Sequence, residues 1–251
     1  MVFMKITAVG GDARVEAMLS RAAQNGIATG ERGADVLVAP DMKTLEGVRG
    51  LWRADAARIL YAAHSPCEGP FKASCAGLMD DGDYVDALAR LTAEGAVVRA
   101  GERSRWALMG AKCAVTGFGR IARALVKRLM AMEARVTVAA RRAEARMEAE
   151  AAGAEALPME EMASALDGAL FVWNTVPSPV ISPRDLSVLP VGAVLMDLAS
   201  PPYGFDLDQA RRMGITASRE RGLPGRYCPQ SAGSILFDAV LRHAGEAKAN
   251  G

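Results

Sequence analysis

The residues best able to do chemistry lie near the middle of the chain. A short apolar run, Lys112-Cys-Ala-Val-Thr116, leads at once into Gly117-Phe118-Gly119-Arg120-Ile121-Ala122. This reads as strand, tight turn and helix. Gly117 can take the dihedrals of the turn, Gly119 lets a pyrophosphate approach the backbone, and the small Ala122 keeps helix and strand close. The first amides of the helix lack intrahelical acceptors, which suits an anion. Gly117, Phe118, Gly119, Arg120 and Ile121 are therefore the candidate contacts of a dinucleotide.

A second strand, Arg135-Val-Thr-Val-Ala139, follows the helix. At its end, roughly 20 residues past the glycines, a fold that prefers NAD carries an acidic residue for the ribose. Here Arg141 and Arg142 stand instead. No carboxylate is available for a 2′-hydroxyl, while two guanidiniums suit a 2′-phosphate, so the expected cofactor is NADP. The alternative is that both arginines merely open the solvated helix 143–152. Two further strands, 169–173 and 193–197, run into Asn174-Thr175-Val176-Pro177 and Asp197-Leu198-Ala199-Ser200-Pro201. Ligands of open parallel sheets bind outside the carboxyl ends of the strands. Asn174, Thr175, Pro177, Asp197, Ala199 and Ser200 are thus expected beside the nicotinamide half, with Leu223 and Pro224 of the turn Gly222–Gly225.

Strands and helices alternate in both halves, which implies an α/β protein with two Rossmann-like, doubly wound parallel-sheet domains. The first half opens with the strand Met4–Val9, the turn Gly10-Gly11-Asp12 and a helix from Ala13 to Asn25 stopped by Gly26. Strands at 34–39 and 56–62 follow. Gly10-Gly11 lacks the full phosphate spacing and reads as a turn beside a substrate cleft. The expected division is a substrate domain over 1–92, a linking helix over 93–109, an NADP domain over 110–228, and a terminal helix with tail over 229–251. That helix, from about Ser231 to Ala244, is placed to pack between the halves.

At 51% hydrophobic residues the chain can fill two cores, yet no apolar run approaches the ~20 residues of a membrane span. The start lacks a signal-peptide pattern, so cytoplasm is expected. A net charge of +1, with both signs spread evenly, argues against nucleic acid as a partner. The four cysteines have no Cys-x-x-Cys spacing, so no metal site is expected. Of the two histidines, His64 finds no neighbour to complete a metal site, and His243 reads as a solvated helix residue.

Several segments occur together in a known order: Gly10-Gly-Asp-Ala-Arg14, Thr92-Ala-Glu94-Gly95, Gly117-Phe-Gly-Arg120, Asn174-Thr-Val-Pro177, Asp197-Leu-Ala-Ser200 and Gly222-Leu-Pro-Gly225. In these the chain resembles the A-subunit family of dipicolinate synthase. The resemblance implies an enzyme of the mother cell in spore-forming bacteria. It implies a reaction that takes a hydroxylated tetrahydrodipicolinate to pyridine-2,6-dicarboxylate with NADP as hydride acceptor. The partner it implies is a flavoprotein-like B subunit. A homo-oligomer is also compatible with it. Gln230 stands where the family leads us to expect lysine.

Such a substrate is a dianion, and carboxylates favour Arg, Ser, Thr and backbone amides. Arg14 and Thr92 are the candidates in the first half. Glu94 is the candidate general base, provided burial raises its pKa; Asp12 is the alternative base or a helix cap. Two other functions fit the layout. One is an NADP-dependent dehydrogenase of the shikimate or methylene-tetrahydrofolate type, with Lys43 or Lys72 as acid–base group. The other is a non-catalytic NADP-binding regulatory subunit.

Overall fold

The structure, a computed structural model, describes residues 4–30, 34–39, 58–61 and 75–249. Strand β1 (Lys5–Ala8) leads through Gly10 and Gly11 into helix α1 (Ala13–Gln24), which the Asp12 carboxylate caps by accepting from the Arg14 amide. Strands β2 (Ala28–Thr29), β3 (Val36–Ala39), β4 (Arg58–Tyr61) and β5 (Cys75–Gly77) complete a parallel sheet in the order β2-β1-β3-β4-β5. Helix α2 (Gly82–Arg103) follows, its start capped by Asp81, which accepts from the Tyr84 amide at 2.9 Å.

The second sheet begins at β6 (Lys112–Thr116), followed by α3 (Arg120–Ala131), β7 (Arg135–Ala140), α4 (Ala143–Ala151) and β8 (Glu155–Pro158). Then come α5 (Met162–Leu166), β9 (Phe171–Asn174), α6 (Pro183–Leu186), β10 (Val194–Asp197), α7 (Leu207–Arg212) and β11 (Thr216–Arg219). All six strands are parallel, in the order β11-β10-β9-β6-β7-β8. The order reverses at β6, which is where such sheets open a ligand crevice. The short helix α8 (Leu223–Tyr227) and the long α9 (Pro229–Ala249) follow. Both sheets are doubly wound and Rossmann-like, as the alternation of elements implies.

The chain forms two compact units, Met1–Leu91 with Pro224–Gly251, and Thr92–Leu223. The first has its core in Ile6, Met18, Val36, Val38, Leu60, Leu78 and Tyr84, closed by Leu236, Phe237 and Val240 of α9, which packs along α1. The second buries Met162, Leu166, Val172, Ile181, Leu195 and Phe205 on one face of its sheet. Burying side chains of this size contributes roughly 1.5–3 kcal/mol each.

Three elements differ from the sequence reading. The helix expected over 93–109 starts at Gly82 and stops at Arg103, so Thr92 and Glu94 lie in its middle. The terminal helix is longer than expected, and residues from 224 onward belong to the first unit. The Gly222–Gly225 segment is not only a turn, because Leu223–Tyr227 is helical with Pro224 in its first turn, where a missing N–H costs nothing.

Candidate functional site

In the second unit the glycine turn has the shape a phosphate needs. Gly117 sits at φ 80°, and a Cβ there would lie 2.8 Å from Val176 Cγ2 and 2.9 Å from Thr175 Oγ1. Only glycine fits on both counts. Gly119 is the N-cap of α3 and carries no capping side chain, while a Cβ built on it meets nothing within 4 Å. That open space in front of the helix N-terminus fits a pyrophosphate, with the amides of residues 120–122 as donors. Ala122 is fully buried against the sheet, and Phe118 is buried beneath the Arg123 guanidinium, 5.6 Å from its ring centre.

Arg141 and Arg142 follow β7, both exposed, with Arg142 as N-cap of α4. Sequence reasoning missed a third arginine here. Arg146 Nη1 donates to the carbonyls of Ala140 (3.0 Å) and Arg141 (2.8 Å), bracing the segment that presents the other two. A position six residues past the strand end, in the first turn of the helix that follows, is the signal that marks it.

Asn174 and Asp197 correct the sequence reading. Both are fully buried, and their side chains bond to the protein. Asn174 Oδ1 accepts from Thr116 Oγ1 (2.5 Å) and the Val176 amide (3.1 Å); its Nδ2 donates to Asp197 Oδ1 (2.7 Å) and the Val176 carbonyl (2.9 Å). Asp197 also accepts from the amides of Ala199 (3.0 Å) and Gly204 (2.8 Å). These bonds tie the carboxyl ends of β6, β9 and β10 into one block. They hold the floor of the crevice and leave Thr175, Pro177 and Ser200 more accessible, while Ala199 is buried. Leu223 and Pro224 are buried as well and serve packing rather than an open surface.

The first unit holds a cavity of about 230 Å³ outside the carboxyl ends of its strands, lined by Gly11, Asp12, Arg14, Val15, Val38, Ala39, Leu78, Tyr84 and Leu236. Arg14 Nε donates to both Asp12 oxygens at 2.9 and 2.8 Å, and Nη2 lies 2.7 Å from Oδ2. The hydrogen bond with Arg14 holds the Asp12 carboxyl below its ordinary value and raises Arg14 in return. Asp12 is thus a cap and an anchor for the guanidinium, and its lowered pKa makes it a poor base. The last glycine of Gly222-Leu-Pro-Gly225 packs here too, since a Cβ on Gly225 would lie 3.4 Å from both Arg14 Cγ and Asp12 Oδ2. Two segments more than 200 residues apart therefore meet at one site.

Thr92 and Glu94 belong to the second unit and are not among the described residues that line that cavity. Glu94 is 57% exposed and 3.8 Å from Arg128, so the burial that its role as base depends on is absent. His243 is not solvated: only 16% of its side chain is exposed, and Nε2 lies 3.3 Å from Asp81 Oδ2, which also pairs with Arg242. His64, Lys43 and Lys72 lie outside the described residues. Burial pushes the Cys113 thiol up to about 12, which leaves it unreactive.

Residues 82–198 match the family of the D-isomer specific 2-hydroxyacid dehydrogenase, NAD binding domain. By sequence the chain is 29% identical over 158 residues to the dipicolinate synthase A subunit of Bacillus subtilis (strain 168), a match that covers 63% of this chain and 53% of the relative. It thus spans about half of that relative's length. The crystal structure of the dipicolinate synthase A chain from Bacillus subtilis superposes with a TM-score of 0.80 at 20% identity, covering 100% of this chain and 99% of that one. The apo-structure of D-lactate dehydrogenase from Escherichia coli gives 0.62 at 12% identity, with 98% of each chain covered. The chain resembles the A-subunit family of dipicolinate synthase in sequence and in fold, and the matched domain supports a nicotinamide cofactor. No helix among the described residues is long and apolar enough to cross a membrane.

Proposed function

We propose that this chain is an NADP-dependent oxidoreductase that converts 4-hydroxy-tetrahydrodipicolinate into pyridine-2,6-dicarboxylate, as the resemblance to the dipicolinate synthase A subunit implies. The observation that carries the substrate class is the Arg14 cavity. One fixed guanidinium set among Val15, Val38, Leu78 and Leu236 suits an acid with an apolar, planar body. Loss of water, then of a hydride and a proton, takes the substrate to the aromatic diacid. When bound, the cofactor supplies the hydride acceptor.

The chain's own contributions are binding and orientation. Gly119 and the start of α3 receive the pyrophosphate, and Arg141 and Arg142, braced by Arg146, receive the 2′-phosphate. Arg14, anchored by Asp12, holds a substrate carboxylate. Thr92 and Glu94 sit on α2 in the second unit, where Thr92 is half-buried and Glu94 is solvated. Any part they play in proton movement runs through water. Assembly with a B subunit, together with action in the mother cell of a sporulating bacterium, completes the proposal.

The test is an absorbance assay with NADP and freshly prepared 4-hydroxy-tetrahydrodipicolinate. NADPH formation together with pyridine-2,6-dicarboxylate supports the reading. NADP binding without turnover, with or without a co-expressed B subunit, points to the regulatory function. Turnover only with a different acid assigns another dehydrogenase activity.

A further inference from the structure

We propose that Tyr84 is a second recognition residue of the first unit: its hydroxyl and the outward edge of Arg14 grip the same carboxylate of a planar acid. This rests on the Arg14 cavity being the substrate pocket. Tyr84 stands in the first turn of α2, fixed there by Asp81, and is only 4% exposed. Its ring belongs to the core of the first unit and also lines the cavity. Among the described residues its hydrogen bonding runs through the backbone N–H to Asp81, and no group bonds the phenol oxygen. The ring is buried while the hydroxyl is not sealed off, and a tyrosine hydroxyl so placed ordinarily finds a partner. Here the space beside it is the cavity, and the charges of Arg14 and Asp12 act on the phenol directly.

Arg14 has a complementary gap. Nε and Nη2 are committed to Asp12, whereas Nη1 makes no hydrogen bond among the described residues. A carboxylate has two oxygens and accepts from two directions, so one cation edge and one hydroxyl satisfy it. Burial raises the Tyr84 ionisation above its ordinary 10.0, so the phenol stays a donor throughout the physiological range. The apolar walls admit a ring, and a ring seated there displaces water that would otherwise screen the pair. An uncharged analogue of the same shape would leave the guanidinium edge and the hydroxyl unpaired, and it is rejected for that reason.

The test is calorimetric titration of the full chain with pyridine-2,6-dicarboxylate, benzoate and benzamide, in the wild type and in Tyr84→Phe. The substitution keeps the ring and removes one hydrogen bond to a charged group, so carboxylate affinity should fall about tenfold or more. NADPH affinity and the thermal midpoint should stay unchanged. Equal carboxylate affinity in wild type and variant overturns the assignment of Tyr84 and leaves the substrate reading standing. Tyr84-dependent binding of benzoate, with pyridine-2,6-dicarboxylate ignored, supports the assignment and overturns that reading. If no carboxylate binds, both fall. Should Tyr84→Phe fail to fold, 3-fluorotyrosine at position 84 serves in its place. Its 19F resonance should move on saturation with the dicarboxylate, and a static resonance rejects the contact.

Discussion

The chain builds the same local unit twice, and the two copies differ in what stands at the helix N-terminus. In the first unit, β1 leads through Gly10 and Gly11 to α1; in the second, β6 leads through Gly117 and Gly119 to α3. The difference lies in the residue at the helix cap. At α1 the cap is Asp12, whose carboxylate fills the N-terminus with the chain's own anion and draws in Arg14. At α3 the cap is Gly119, which adds nothing, so the same kind of amides stay available to an anion from outside. One side chain turns an open helix N-terminus into a seat for the chain's own guanidinium.

The most direct way to break this contrast is to give the second turn the first turn's cap. Gly119→Asp should fold, because the added side chain meets open space, yet lose NADPH affinity by about a hundredfold or more, since juxtaposed like charges cost several kcal/mol. A fluorescence titration reads this directly. Next in size is Gly204→Ala. A Cβ there would collide with the Asn174 amide, so the block at the ends of β6, β9 and β10 should lose about 1–3 kcal/mol in denaturant unfolding. The double variant Arg141→Ala, Arg142→Ala should weaken NADP about tenfold or more while leaving NAD binding nearly constant.

Asp12 gives a smaller effect, on stability. Asp12→Ala should cost about 1 kcal/mol through loss of the cap. Because the folded pKa of Asp12 lies below its ordinary 3.8, its contribution is present above that value and fades as pH falls through the folded pKa. The gap in unfolding free energy between wild type and Asp12→Ala should therefore be constant near neutrality and close in strong acid. The smallest effect belongs to Glu94→Gln. Turnover should stay within about twofold, as expected of a solvated side chain; a loss of a hundredfold would restore Glu94 as the base.

The second unit was the more legible half in the sequence. Its strands are runs of apolar and β-branched residues, and its glycines sit where backbone geometry admits little else. What misled was polarity at strand ends. Asn174 and Asp197 look like ligand contacts in the sequence, but a buried amide and carboxylate can satisfy each other, and spacing does not reveal which they do. Helix α2 begins earlier than the sequence pattern predicts for another reason. Its buried face is built from Ala89, Ala93, Ala96 and Ala100, which pack well yet give little apolar signal, and Gly82 at its start is a turn-forming residue. Tyr84 was hidden with it. Strands β2 and β5, two and three residues long, are too short for any periodicity to register.

The return of residues 224–251 to the first unit sets an order of birth for the molecule. Residues 92–223 form an uninterrupted stretch that can complete its core while the chain is still emerging from the ribosome. The first unit, although it begins synthesis earlier, lacks Leu236, Phe237 and Val240 until α9 has emerged. The half begun first is finished after the other, and the wall of the Arg14 cavity that Leu236 supplies is made only once residues 92–223 are complete.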